Sequence, residues 1–206
     1  MKSNSEYRYE IYRKLIHLFS TVIPVLYSLT SRDFMLMFIG FGTVLMILLD
    51  ILKAYTYTFE TLYTKVLGGI LRDDEKDFKR NLFTGGTYYA IGIFLTVLIF
   101  PEEVAVFSIL LMIWCDTMAA LIGKRFGKTK LSGNKTLEGS FAFVATGIIL
   151  VFVLQYVYPE INFYKAGFIT VIIAAAFEQL SFIRLNDNLS IPVFSGFVFV
   201  IINNFI

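Results

Sequence analysis

Apolar runs long enough to cross a lipid bilayer recur from one end of this 206-residue chain to the other, and they leave room for one kind of fold. In hydrocarbon there is no water to bond exposed peptide groups, so a chain must satisfy its backbone internally, which a helix does within its own segment. A crossing takes about 20 mostly apolar residues. Seven stretches meet or approach that need, at roughly 15–30, 34–52, 87–100, 104–123, 139–158, 163–182 and 191–206. With 57% of residues hydrophobic and 17% charged, too little polar surface remains for a soluble domain of any size. The expected fold is all-α: a polytopic membrane helix bundle of about seven transmembrane helices, a single integral membrane domain over 1–206. The first stretch is short and basic-flanked like a signal peptide. It lacks a small-residue cleavage site and carries His17 and Pro24 inside the run, so it is read as a span.

Charge orients the bundle. With the N-terminus inside, sixteen of the eighteen Lys and Arg residues fall on the cytoplasmic side, and only Arg32 and Lys165 fall outside. That asymmetry predicts a cytoplasmic N-terminus, an outer C-terminus and an odd number of spans. A net charge of +2 is too balanced for a nucleic-acid binder, and no nucleic-acid partner is expected. One cysteine, one histidine and no CxxC pair exclude a disulfide framework and make no case for structural zinc. Between the second and third stretches, Phe59, Leu62, Tyr63, Val66, Leu67, Ile70 and Leu71 follow helical i, i+3, i+4 spacing. They predict an amphipathic helix lying in the cytoplasmic interface. The run Arg72–Arg80 reads as a solvated loop.

Ionisable residues inside or at the ends of spans are costly in hydrocarbon and are candidates for function. Here they are Arg13, Lys14, His17, Asp50, Asp116, Glu138, Glu178 and Asp187. In the predicted topology all eight sit in the cytoplasmic half, which points to one polar site on the inner face. Arg13, Lys14 and His17 share one side of a helical turn. They could hold phosphate oxygens, Arg13 in bidentate fashion and Lys14 as a point charge, or the two cations could be snorkelling anchors of the first helix. Asp116 lies deep in an apolar run, about 12 Å of helix before Lys124. A carboxylate at that depth must be paired, protonated or metal-bound. An ion pair with Arg13 or Lys14 that merely locks two helices is the plainer alternative.

The connector GKRFGKTKLSGNKTLEGS (123–140) combines glycines, whose amides can approach phosphate, with lysines that neutralise it. Gly123 to Thr129 nearly matches a phosphate-binding P-loop, but it has three residues between its glycines where that motif has four, and it follows a helix. A P-loop fold is rejected.

Taken in order, RKLIH (13–17), TGGTYY (84–89), DTMAALIGKRFGK (116–128), KTLEGS (135–140) and E…DNLSIP (178–192) resemble the family of dolichol kinases, phytol kinases and CTP-dependent diacylglycerol kinases. The resemblance covers nearly the whole chain. It implies a CTP-dependent phosphotransferase that moves the γ-phosphate to the hydroxyl of a lipid alcohol, with Mg²⁺ or another divalent cation as cofactor. It places Arg13, Lys14, Asp116 and Glu138 in the catalytic machinery. Gly123, Lys124, Gly127, Lys128, Lys135, Thr136 and Gly139 would lie at the nucleotide, and Asp116 with Glu178 or Asp187 would hold the metal. His17, Thr84 and Asn188 belong to the same motifs. The chain matches the compact members and lacks the extra spans of eukaryotic dolichol kinases, leaving isoprenoid alcohols and diacylglycerol as acceptors. The expected setting is a prokaryotic cell membrane with the site facing the cytoplasm. Two rivals remain. The aspartate block and KTLEGS also resemble membrane cytidylyltransferases, which would act on a phospholipid such as phosphatidate. A non-enzymatic lipid transporter would instead place polar residues near the midplane, which the one-sided distribution disfavours.

Overall fold

The computed structural model describes residues 4–68, 82–133, 135–179 and 186–205. They form α1 (Asn4–Phe19), α2 (Val22–Tyr27), α3 (Arg32–Tyr55), α4 (Tyr57–Leu67), α5 (Gly85–Ile99), α6 (Glu102–Leu110), a π-helical turn (Leu111–Cys115), α7 (Asp116–Phe126), α8 (Leu137–Val157), α9 (Phe163–Glu178) and α10 (Asp187–Phe205). No strand occurs among the described residues; an isolated antiparallel bridge joins Lys130 to Thr136. The protein is an all-α integral membrane bundle.

α6, the π turn and α7 run on as one 25-residue rod, Glu102–Phe126. This rod is the axis of the bundle, because 72% of its most apolar window is buried inside the protein against 22% for α3. Phe107, Phe163 and Phe199 meet there with ring centroids 5.1–5.6 Å apart. α3, the central rod, α8 and α10 are long and apolar enough to cross a bilayer, and α5 is a shorter apolar helix. The expected first span, 15–30, is interrupted. α1 stops at Phe19, the chain turns at Ser20 and Thr21, and α2 lasts six residues. The Ser20 hydroxyl donates to the His17 carbonyl, the kind of local side-chain bond that competes with helix continuation. α9 ends at Glu178, and residues 180–185, which hold the end of the expected sixth span and Arg184, lie outside the described residues.

Contacts sort the helix ends into two sets. At one end, α1 meets α7 through Lys14 and Asp116, α3 meets α5 through Asp50 and Thr84, and the 127–136 connector meets α9 and α10. At the other end, the Arg32 Nε–H donates to the Val97 carbonyl at 3.2 Å and the Tyr158 hydroxyl donates to Glu102 at 3.1 Å. The ionisable groups singled out above all belong to the first end.

α4 begins where the sequence periodicity places it, and its apolar face is divided. Tyr63 is buried beneath the Lys53 ammonium, 5.1 Å from the ring centroid, whereas Leu62 and Val66 face outward. Ile70, Leu71 and the Arg72–Arg80 run lie outside the described residues.

The seat of α4 and the start of α5 is a fully buried ion pair. Lys53 Nζ lies 2.7 Å from Asp50 Oδ1, and both residues are 0% exposed. Asp50 also accepts from the Thr84 backbone N–H at 2.7 Å and from the hydroxyls of Thr84 and Thr87. Asp50→Ala would leave an ammonium buried without its carboxylate and should cost about 3–5 kcal/mol, read as a lowered thermal midpoint in detergent.

α7 and α8 cross at glycines. A Cβ on Gly139 would lie 2.8 Å from the Ala119 carbonyl oxygen, and one on Gly123 would lie 2.9 Å from Thr136 Oγ1. Gly139→Val must force these backbones apart, with an expected loss of about 1–3 kcal/mol and earlier thermal aggregation of the purified protein.

Candidate active site

The π turn just ahead of Asp116 sets the direction of the central rod's polar face. The Asp116 N–H bonds the Leu111 carbonyl, five residues back, so one extra residue is taken into the turn and every side chain after it is rephased. Trp114 then reaches α1's end, its indole N–H donating to Thr21 Oγ1 at 3.0 Å. Asp116 receives a hydrogen bond from the Lys14 ammonium. Lys14 is 3% exposed and Asp116 8%, so each charge is kept in the interior by the other. One turn earlier on α1, Glu10 takes the Lys124 ammonium at 2.5 Å and Arg13 Nη2 at 3.4 Å. Burial disfavours the Glu10 carboxylate, but the cations Arg13 and Lys124 outweigh it and hold its pKa below the usual range. α1 is thus clamped along α7 by two ion pairs, and the Arg13–Lys14 turn faces the rod.

Lys135 ties the connector to the opposite wall. Leu131 and Lys135 are joined by an N–H···O bond of 3.0 Å, and the Lys135 N–H bonds the Ser132 carbonyl at 2.9 Å. That reversal requires a left-handed residue, supplied by Gly133 at φ 57°. The Lys135 ammonium then sits 2.8 Å from Glu178 Oε1 and 3.1 Å from Asp187 Oδ2, and it also donates to the Glu178 carbonyl. Burial alone would depress the lysine's pKa, yet Asp187 and Glu178 more than compensate and raise it above its ordinary value.

Three carboxylates from three helices converge here. Asp116, Glu178 and Asp187 each offer an oxygen within 4.8 Å of the others. An all-oxygen set of this size suits a hard divalent cation such as Mg²⁺, with phosphate and water completing its shell.

The remaining candidates separate into groups. The glycines chosen for phosphate-facing amides are committed elsewhere: the Gly127 N–H bonds the Gly123 carbonyl at 3.0 Å as the end of α7, and the Gly139 N–H bonds Thr136 Oγ1 at 3.2 Å as the cap of α8. Gly123 and Gly127 are instead where the chain passes too close to Thr136 for a side chain, and Gly139 is where α8 passes too close to the Ala119 carbonyl of α7. What the connector offers to anions is cationic side chains, Lys124, Lys128 and Lys135. Glu138 turns back to the connector, accepting from the Thr129 N–H at 3.2 Å. Thr84 belongs to the Asp50–Lys53 knot. Asn188 donates through Nδ2 to the Gly85 carbonyl at 3.0 Å, fixing the start of α10 next to Asp187. Pro192 has no N–H for the Asn188 carbonyl, and that carbonyl rests against Gly92, where no side chain intrudes. The His17 ring lies 4.8 Å from that of Tyr89 of α5, tilted by 49°. Glu10, Lys53 and Tyr89 were not singled out from sequence. Glu10 sits three and four residues before Arg13 and Lys14, Lys53 sits three after Asp50, and both read as ordinary flanking residues.

Comparison with known proteins adds an independent finding. The profile of the Cytidylyltransferase family matches residues 2–181. The chain is 33% identical to a CTP-dependent diacylglycerol kinase of Schizosaccharomyces pombe, over 71% of this chain and 71% of that one. It is 33% identical to a dolichol kinase of the same organism, over 59% of this chain and 25% of the relative. It is 27% identical to a probable chloroplastic phytol kinase of Glycine max, over 54% of this chain and 41% of the relative. No solved structure matches. The chain belongs to the cytidylyltransferase family, among relatives named as diacylglycerol, dolichol and phytol kinases.

Proposed function

We propose that this protein is a CTP-dependent lipid kinase that transfers the γ-phosphate of CTP to the hydroxyl of a membrane lipid alcohol, an isoprenoid alcohol or diacylglycerol. The observation that carries the reading is the meeting of Asp116, Glu178 and Asp187 with the ammonium groups of Lys14 and Lys135 at one end of the bundle. Phosphoryl transfer asks a protein for positioning and charge neutralisation far more than for covalent chemistry. A transporter would place its polar site near the midplane, whereas these groups gather at one end of the bundle.

Asp116, Glu178 and Asp187 would hold Mg²⁺, which when bound supplies charge neutralisation and alignment for the β- and γ-phosphates. The three carboxylates outnumber the two ammoniums, so the cluster by itself repels a polyphosphate and receives one together with a divalent cation. Lys124 and Lys128, on the exposed connector, draw the nucleotide in from the aqueous side. Lys135 and Lys14 are held against carboxylates and present ammonium protons at fixed points beside the transferring group, where preorganised charge is worth most. Arg13, one residue before Lys14, adds a planar donor suited to phosphate oxygens. The lipid alcohol comes from the bilayer side, its hydroxyl at headgroup depth and its chain against the apolar outer faces of the helices. The active end is assigned to the cytoplasm by the distribution of Lys and Arg around the spans.

Asp116→Asn should lower lipid phosphorylation by at least about 10²-fold while the protein remains extractable and monodisperse in detergent; turnover near that of the wild type would reject the assignment. The family's own description favours a second reading, transfer of a cytidylyl group to a phospholipid. CTP labelled at the α- or the γ-phosphate separates the two. γ label in the lipid fraction is the expected result, and α label would replace the kinase by a cytidylyltransferase.

A further inference from the structure

The break between α1 and α2 builds a second polar group of side chains inside the apolar part of the bundle. We propose that it is the seat of the acceptor hydroxyl, and that His17 takes the proton from that hydroxyl as the phosphate is transferred. The inference rests on the kinase reading and supplies a component it leaves open, the proton acceptor.

His17 follows Lys14 by three residues on α1, about 4.5 Å further along the helix and on the same face. Lys14 is bonded to Asp116, so His17 stands one turn of α1 beyond that contact. The imidazole leans on the Tyr89 ring. The Tyr89 hydroxyl is bonded to Ser20 Oγ, whose own hydrogen goes to the His17 carbonyl. Tyr89 in turn stands one helical turn beyond Gly85, the residue that anchors Asn188 beside Asp187. The group is therefore linked through α5 to the start of α10, which carries Asp187. The nucleotide's cationic contacts lie on the connector side. A lipid hydroxyl must come from the other direction, past Ile16, Phe19 and Val22, all of them exposed on the outer face of α1 and α2.

Other groups within reach are poorly suited to take the proton. Asp116 is engaged by Lys14, and Glu138 is turned to the Thr129 N–H on the connector side. Ser20 and Tyr89 bond each other, and Thr21 accepts from Trp114. Imidazole is the side chain that exchanges a proton near neutral pH. In the step, the lipid oxygen forms a bond to the γ-phosphorus, and the bond from that phosphorus to the bridging oxygen breaks with its electron pair going to CDP. The lipid O–H proton passes to the neutral His17 ring and leaves afterwards to water.

The test compares wild type, His17→Ala and His17→Gln as purified full-length proteins in lipid nanodiscs, with γ-labelled CTP, diacylglycerol and polyprenol as acceptors, and CTP binding measured separately in the presence of Mg²⁺. Loss of a proton acceptor predicts a kcat at least about 10²-fold lower in both variants, CTP affinity within about twofold of wild type, and partial recovery of His17→Ala by added imidazole. A merely structural histidine would show no imidazole recovery. The proposal is overturned if either variant turns over within a few-fold of wild type, if imidazole has no effect on His17→Ala, or if CTP affinity falls together with turnover. A wild type that binds CTP and labels neither lipid overturns the kinase reading itself, a result distinct from an active His17→Ala.

Discussion

The contact between Lys14 and Asp116 is the constraint on which the rest of the active end depends. A lone charge in the interior of a membrane bundle is prohibitively costly, so either residue alone would force water inward or abandon its ionised form. Together they oblige α1 to lie along the central rod at one register, reinforced one turn away by Glu10 with Lys124 and Arg13. The arrangement does more than lock two helices. It sets Asp116 where its carboxylate and those of Glu178 and Asp187 lie within 4.8 Å of one another, and it brings His17 against Tyr89 of α5. An ion pair of this kind adds little net stability compared with an apolar contact of the same volume. In the proposed function it holds that carboxylate where a cation and phosphates would meet.

A second buried pair, Asp50 with Lys53, works at a distance from the chemistry. It fixes the end of α3, the start of α4 and the first turn of α5 around Thr84 and Thr87. From there the Gly85 carbonyl holds Asn188 and so the first turn of α10. The freed Asn188 carbonyl beside Pro192 needs a bare backbone opposite, and Gly92 provides it. Asp187 is thus positioned by a chain of backbone contacts leading back to a salt bridge on another helix. The TGGT segment earns its place in the site through this scaffold, since Thr84 and Thr87 spend their hydroxyls on Asp50.

Much of the active end was legible in the residues. Eight ionisable groups at span ends predict one polar site; Asp116, Glu178 and Asp187 do meet, whereas Asp50 closes a separate pair with Lys53 and Glu138 turns to the Thr129 N–H. The isolated position of Asp116 in an apolar run demands a partner. The connector illustrates the limit. Its glycines and lysines together resemble a phosphate cradle, yet Gly127 and Gly139 use their amides to end one helix and begin the next, and Gly123 and Gly139 are small so that α7 and α8 can touch. Composition does not distinguish a glycine that bares its amide from one that admits a neighbouring backbone. Glu10 and Lys53 escaped notice for a related reason: in a charged flank, sequence offers no sign of which member will be buried.

The membrane class, the helical fold and the family motifs follow from sequence because they depend on runs and periods of hydrophobicity and on local spacing. Tertiary structure alone decided the rest: that the first span breaks at Ser20, that a π turn rephases Asp116 toward Lys14, and that Glu178 and Asp187, from helices later in the chain, close on the same few ångströms. Each is the outcome of competition between distant segments for the same buried space, where one added residue per turn or one absent Cβ determines which polar groups meet, and hydrophobic period is blind to that competition.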